Sequence, residues 1–156
     1  MISNRAGRRS TSVYHLHLGG ADADALEWRA LLAPRFEARL AQMGVYLVDA
    51  ASEADVVVIT GLLTARNLDR AMVELDAMPA PSVLVAVGDA AVNGGIWARN
   101  DVPGLAPYPL SHYADVSLTV PGNPPTPQVL LAALDVAIRL VANPGTSSDI
   151  TRDEGQ

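Results

Sequence analysis

Val56-Val57-Val58-Ile59-Thr60-Gly61 and Val83-Leu84-Val85-Ala86-Val87-Gly88-Asp89 decide the fold. Each begins as an almost unbroken apolar run rich in β-branched residues and ends at a glycine. A strand with one wet face alternates polar and apolar residues; a run without alternation is buried on both faces, as in a parallel sheet covered by helices. Between the two runs, Thr64 to Met78 has helical period and is stopped by Pro79 and Pro81. Toward the amino terminus, Val45 to Val48 reads as a short strand. Before it, Ala25 to Met43 carries Leu26, Leu31, Phe36 and Leu40 at near-helical spacing, with Asp22 or Asp24 as the cap and Pro34 as a break into two pieces. Val13 to Leu18 alternates and stops at Gly19-Gly20. Toward the carboxyl terminus, a Gly-, Asn- and Pro-rich loop (Gly94 to Pro109) leads to a strand at Val116 to Val120. A rigid turn at Pro121 to Pro127 and a closing helix from Gln128 to Val141 follow. Strands alternating with helices predict an α/β fold: a single doubly wound domain over 13–142 with a mainly parallel sheet. Residues 1–12 read as a disordered segment and 143–156 as a flexible polar tail.

Composition narrows the function classes. The chain has 156 residues, a formal net charge of −6 and 11 basic residues, all Arg and scattered along the sequence. That pattern argues against a phosphate-tracking surface, so no nucleic-acid partner is expected. The apolar runs are too short to cross a bilayer, and no secretory signal pattern opens the chain. The expected location is cytoplasmic or peripheral to the inner membrane, with membrane contact only through a complex. There is no Cys, which excludes disulfides, thiol catalysis and thiolate metal sites by inventory.

A doubly wound sheet places its functional loops at the carboxyl ends of its strands. These loops are Gly19 to Asp24, Thr60 to Thr64, Gly88 to Ala91 and Pro121 to Pro125. Their order and spelling, Thr60-Gly61, Met78-Pro79 then Pro81, Val87-Gly88-Asp89-x-Ala91, Gly94-Gly95 and Val120-Pro121-Gly122-x-Pro124-Pro125-x-Pro127, resemble the small, 20 kDa cluster-carrying subunit of respiratory complex I. They resemble equally the small subunit of membrane-bound [NiFe]-hydrogenases and formate hydrogenlyases. The resemblance covers roughly residues 13–141 and implies a flavodoxin-like fold. In that family four cysteines hold an iron–sulfur cluster, and its alignment places Ala21, Asp24, Ala90 and Asn123 at the ligand positions, with Gly20, Glu27, Gly61, Gly88, Asp89, Gly122 and Pro124 lining the pocket. Two alanines supply no donor, and a carboxylate and an amide are hard ligands ill suited to an iron–sulfide cluster. The resemblance therefore implies a vacated site: no iron–sulfur cluster, no other cofactor and no metal.

Other readings of the same residues are weaker. Asp22, Asp24 and Asp89 invite a hydrated hard cation, but Asp after a strand more often caps the next helix. His15 and His17 share one strand face without an evident third ligand, and His112 beside Tyr113 has no evident partner. No Gly-x-Ser-x-Gly, Gly-x-Gly-x-x-Gly or Lys-bearing phosphate loop is present. Arg66 and Arg70, one turn apart, read as a solvated helix face or a meeting point for an acidic partner. Trp28 and Trp97 read equally as core or as anchors. The expected function is a non-catalytic structural subunit of a redox or ion-translocating complex. It would dock to a large-subunit homologue through the cluster loops, with Leu62, Leu63, Arg66 and Trp97 as interface candidates. The alternative is a free-standing small-molecule or flavin-binding module that uses the vacated pocket.

Overall fold

The computed structural model describes residues 10–99 and 103–144. In chain order the elements are β1 (Thr11–His17), α1 (Asp22–Leu31), α2 (Pro34–Met43), β2 (Val45–Leu47), a 3-10 turn (Ala51–Glu53) and β3 (Val56–Thr60). Then come α3 (Leu68–Asp76), β4 (Val83–Val87), α4 (Asp89–Asn93), α5 (Gly95–Arg99), α6 (Leu110–Tyr113), β5 (Leu118–Val120) and α7 (Pro127–Ala142). The strands form one sheet in the order β2-β1-β3-β4-β5, and every pairing is parallel. The chain moves to one side of β1 to lay down β2 and then returns to the other side for β3, so the topological switch lies between β1 and β3.

Both faces of the sheet are covered. Val56 and Val58 of β3 and Val85 and Val87 of β4 pack with Trp28, Leu31, Leu40 and Leu130, under α1, α2 and α7. The alternate residues, Val57, Ile59, Leu84 and Ala86, pack with Ala71, Leu75, Ala91 and Leu110, under α3, α4 and α6. Every residue of β3 and β4 is buried, which is what their unbroken apolar runs require. Each buried Val contributes roughly 1.5–3 kcal/mol relative to exposure.

Several boundaries differ from the sequence reading for identifiable reasons. The break at Pro34 is not one of them: the chain divides into α1 and α2 as expected, with Pro34 in the first-turn position at which its missing N–H is harmless. Helix α3 begins at Leu68, not Thr64, because Thr64 and Asn67 cap each other: Thr64 N donates to Asn67 Oδ1 and Asn67 N to Thr64 Oγ1. Arg66 therefore lies in a turn and is not one helical turn from Arg70, which pairs with Glu74. Strand β1 starts at Thr11, inside the segment expected to be disordered. Ser12 is buried there because its N–H donates to Asp55 Oδ2 and its hydroxyl to Glu53 O. Within the expected tail, Asn143 N donates to Arg139 O and ends α7. The rest of both expected terminal segments, 1–9 and 145–156, lies outside the described residues.

Candidate functional site

At the carboxyl edge of the sheet the four loops join in two pairs. The first pair flanks the switch point: Leu18 N donates to Thr60 O and Leu62 N to Gly19 O, both at 2.9 Å. Gly61 has φ +89°, and a Cβ there would sit 2.7 Å from Gly19 O, so only glycine permits the approach. The Asn67 side-chain amide donates to both Leu18 O and Leu62 O at 3.0 Å, clasping the two loops from α3's start. In the second pair, Gly88 N donates to Val120 O and Asp89 N to Gly122 O, both at 2.8 Å. Gly122 N in turn donates to Asp89 Oδ1 at 2.8 Å. The Asn123-Pro124 peptide within this turn is cis.

A contact from α1 also reaches from the first pair to the second. Asp24, at the third position of α1, lays its carboxylate on the backbone of Gly88: a Cβ at Gly88 would be 2.1 Å from Asp24 Oδ2. Asp24 is 2% exposed, and its buried Oδ1 has no hydrogen-bond partner. Burial, and then the neighbouring Asp89 charge, push its carboxyl up to about 6, with His17 opposing. Asp24 is thus not a cap. The residue at the N-cap is Ala21, in a left-handed conformation (φ 47°) with no side-chain cap bond.

Beside it runs a polar chain on the α1 face of the sheet. The buried Thr60 hydroxyl bridges His15 Nε2 at 2.8 Å and His17 Nδ1 at 2.9 Å, and His17 Nε2 reaches Asp22 Oδ1 at 3.3 Å. A hydroxyl has one proton and two lone pairs, so Thr60 donates to at most one ring and accepts from any ring it does not donate to. Burial, and then His17 and Arg29, depress His15 to about 4, leaving it neutral near neutral pH. The two histidines share a face but satisfy each other through Thr60. Among the described residues no three His, Asp or Glu side chains are grouped to hold a metal ion.

The remaining sequence-derived residues are placed as follows. Ala90 is buried in α4, Asn123 and Gly20 are exposed, and Glu27, Gly122 and Pro124 are half-buried. Of the interface candidates, Trp97 is 40% exposed, Arg66 is exposed and Leu62 is half-buried. Leu63 is not an outward anchor. It is 7% exposed and packs in the core beneath α3 and α4, because its backbone, whose carbonyl accepts from Ala106 N, runs under the following loop. Trp28 is core, against the His15 ring at 5.4 Å. His112 has a partner after all, stacking on Tyr108 with ring centroids 4.0 Å apart. Sequence reasoning missed Asn67 and the Thr60 hydroxyl; a Thr-x-x-Asn spacing just after a strand was the available signal for the first. It also missed Ile96, exposed beside Trp97.

The profile of the family described as NADH ubiquinone oxidoreductase, 20 Kd subunit, matches residues 20–137. The chain belongs to this family. It is 28% identical to a probable membrane-bound hydrogenase subunit of Pyrococcus furiosus, over 95% of this chain and 85% of that protein. Against formate hydrogenlyase subunit 7 of Escherichia coli it is 27% identical over 86% of this chain, spanning 51% of that longer protein. Among solved structures, the fold resembles a chain of the membrane-bound sulfane sulfur reductase, an archaeal respiratory membrane complex. The TM-score is 0.70 at 22% identity, covering 86% of this chain and 73% of that one. These matches agree with the flavodoxin-like order of the sheet. No helix among the described residues is long and apolar enough to cross a membrane.

Proposed function

We propose that this chain is a cluster-less member of its family, serving as a structural subunit of a redox or ion-translocating complex and docking to a large-subunit homologue through the carboxyl edge of its sheet. The observation that carries the reading is the Asp24 carboxylate seated on Gly88. Asp24 stands at one of the inferred ligand positions, with Ala21, Ala90 and Asn123 at the others, and the chain has no Cys. This donor set does not fit an iron–sulfur cluster, whose irons are held by soft thiolates. A side chain lies between the first and third loops instead. Yet the loops have a defined backbone framework, with Gly61 and Gly88 at positive φ and the Asp89–Gly122 exchange. Built loops and the family's Gly and Pro motifs without ligands support an architectural role, and relatives that are subunits of hydrogenase and hydrogenlyase complexes support a partner. A free-standing small-molecule or flavin-binding module in the vacated pocket gains no support, because the Asp24 side chain lies against Gly88 there.

Co-expression with a large-subunit homologue is the test. The wild type is expected to co-purify with it, and the variants Trp97→Asp, at an exposed position, and Leu62→Asp, at a half-buried one, shown by circular dichroism to fold, are expected to bind at least tenfold more weakly. A monomeric wild type, or folded variants that bind undiminished, would overturn the docking. Stoichiometric iron and sulfide on the isolated chain after anaerobic reconstitution would overturn the cluster-less reading.

A further inference from the structure

We propose that the Asp24 carboxyl is a proton-binding latch: protonated, it holds the first loop and the start of α1 against Gly88; ionised, it is driven out of that seat. The argument is geometric. Both oxygens lie within contact of the Gly88 backbone, where a Cβ would meet Oδ2 at 2.1 Å and Oδ1 at 2.6 Å. The residue is 2% exposed and Oδ1 lacks a donor. An ionised carboxylate with a buried oxygen that no donor reaches is disfavoured in such a place, whereas a proton removes the charge.

The charges facing Asp24 do not supply the missing cation. From α4 comes Asp89, whose Oδ1 already accepts from Gly122 N and whose charge opposes ionisation of Asp24. From β1 comes His17, which favours the anion but spends its ring nitrogens on Thr60 and Asp22. On α1 itself, Asp22 is exposed, Glu27 half-buried and Arg29 exposed. The first half of α7, Pro127 to Leu134, the strand β4 and the turn 121–126 carry no ionisable side chain. The positive end of α1 works toward the anion, but burial and Asp89 outweigh it, in keeping with a carboxyl raised from 3.8 to about 6.

The sign follows from linkage. A carboxyl raised on folding makes stability highest below its unfolded value near 3.8, and that stability is lost as pH climbs from there through about 6. Weakening of the latch therefore belongs to the window from about pH 4 to pH 6, complete above it. The inference concerns the isolated chain, so failure of partner docking would leave it standing.

The experiment is carboxyl-carbon NMR of the full chain labelled at Asp, between pH 3 and 8. One resonance is expected to titrate near pH 6 and to vanish in Asp24→Asn, and Asp89→Asn is expected to move that midpoint downward. If every Asp carboxyl titrates below about 4.5, or if the late resonance survives in Asp24→Asn, the proposal is wrong. Urea unfolding supplies a second measure. Relative to wild type, the folding equilibrium of Asp24→Asn should gain about a hundredfold between pH 4 and pH 7. A parallel pH dependence of the two proteins would overturn the latch even if the NMR midpoint were high. Amide exchange at Asp24 N, which donates to Ala21 O, should show the same divergence.

Discussion

The two halves of the sheet's carboxyl edge are built alike and joined badly. At the switch point, Asn67 uses an amide to clasp the carbonyls of Leu18 and Leu62. On the far side, Asp89 uses a carboxylate to clasp the amide of Gly122. In the first half the Asn67 side chain satisfies the backbone of two loops; in the second the Asp89 side chain and its own N–H both engage Gly122, so the backbone there is paired and its shape fixed. Between the halves, where Asp24 meets Gly88, the pattern fails: the side chain is buried but one of its oxygens is orphaned. Loop geometry is maintained by interactions internal to each half, while the position where the resemblance places a ligand is filled by a group that only sterically fits.

That contrast is easiest to break at Gly88. Its φ of +86° is a left-handed-side conformation, and a methyl group there would penetrate the Asp24 carboxylate. Gly88→Ala is expected to lower stability by about 3 kcal/mol, roughly 1–2 from the backbone conformation and the remainder from expelling Asp24. The double variant with Asp24→Ala should recover the second part. Urea melts of the four proteins of this cycle measure the coupling. Simple additivity would mean that Asp24 does not occupy the seat.

The clasps are next. Asp89→Ala removes a charged acceptor from Gly122 N, and Asn67→Ala removes two neutral donors; each is expected to cost about 2 kcal/mol by chemical denaturation. The two should differ in kind. Loss of Asp89 also removes a charge that faces Asp24, so its penalty should shrink as pH rises from 4 to 7, whereas that of Asn67→Ala should stay flat. Equal pH profiles would show that the halves are independent of the seam.

How much of this was legible in the sequence depended on whether one residue or several carry the signal. Strands β3 and β4 were plain because burial on both faces demands an unbroken apolar run, and Val56 to Ile59 and Val83 to Val87 supply one. The parallel sheet and the grouping of four loops follow from that alternation with helices. Thr11 and Ser12 were not legible as buried strand, since two hydroxyl residues give no apolar signal and their partners lie far along the chain, Gly44 for Thr11 and Glu53 and Asp55 for Ser12. Leu63 looked like a free anchor because its burial comes from a core completed by elements that arrive later, α3, α4 and α6. Asp24 read as a cap or a ligand position, and only the three-dimensional approach of Gly88 shows it as a buried acid. Side-chain clasps between distant loops, Asn67 above all, are tertiary facts with a faint local trace.

The smallest expected effect tests whether the seam is strained as well as unsatisfied. Gly19, Gly20 and Ala21 adopt positive φ in succession, and Ala21 is the one non-glycine residue to do so among those described. Its φ of 47° lets the chain turn sharply from β1 into α1 and carry Asp24 over Gly88. An L-residue pays roughly 1–2 kcal/mol for that conformation, against a smaller loss of unfolded-state entropy that glycine would add. Ala21→Gly is therefore expected to stabilise the chain by about 0.5–1 kcal/mol, read as a small rise in the urea midpoint with an unchanged slope. The gain should be larger at pH 4.5, where protonated Asp24 holds the loop in place, than at pH 7.5, where an ionised Asp24 frees Ala21 to relax. A destabilised glycine variant at both pH values would show that the first loop is unstrained and that the weakness of the seam lies in Asp24 alone.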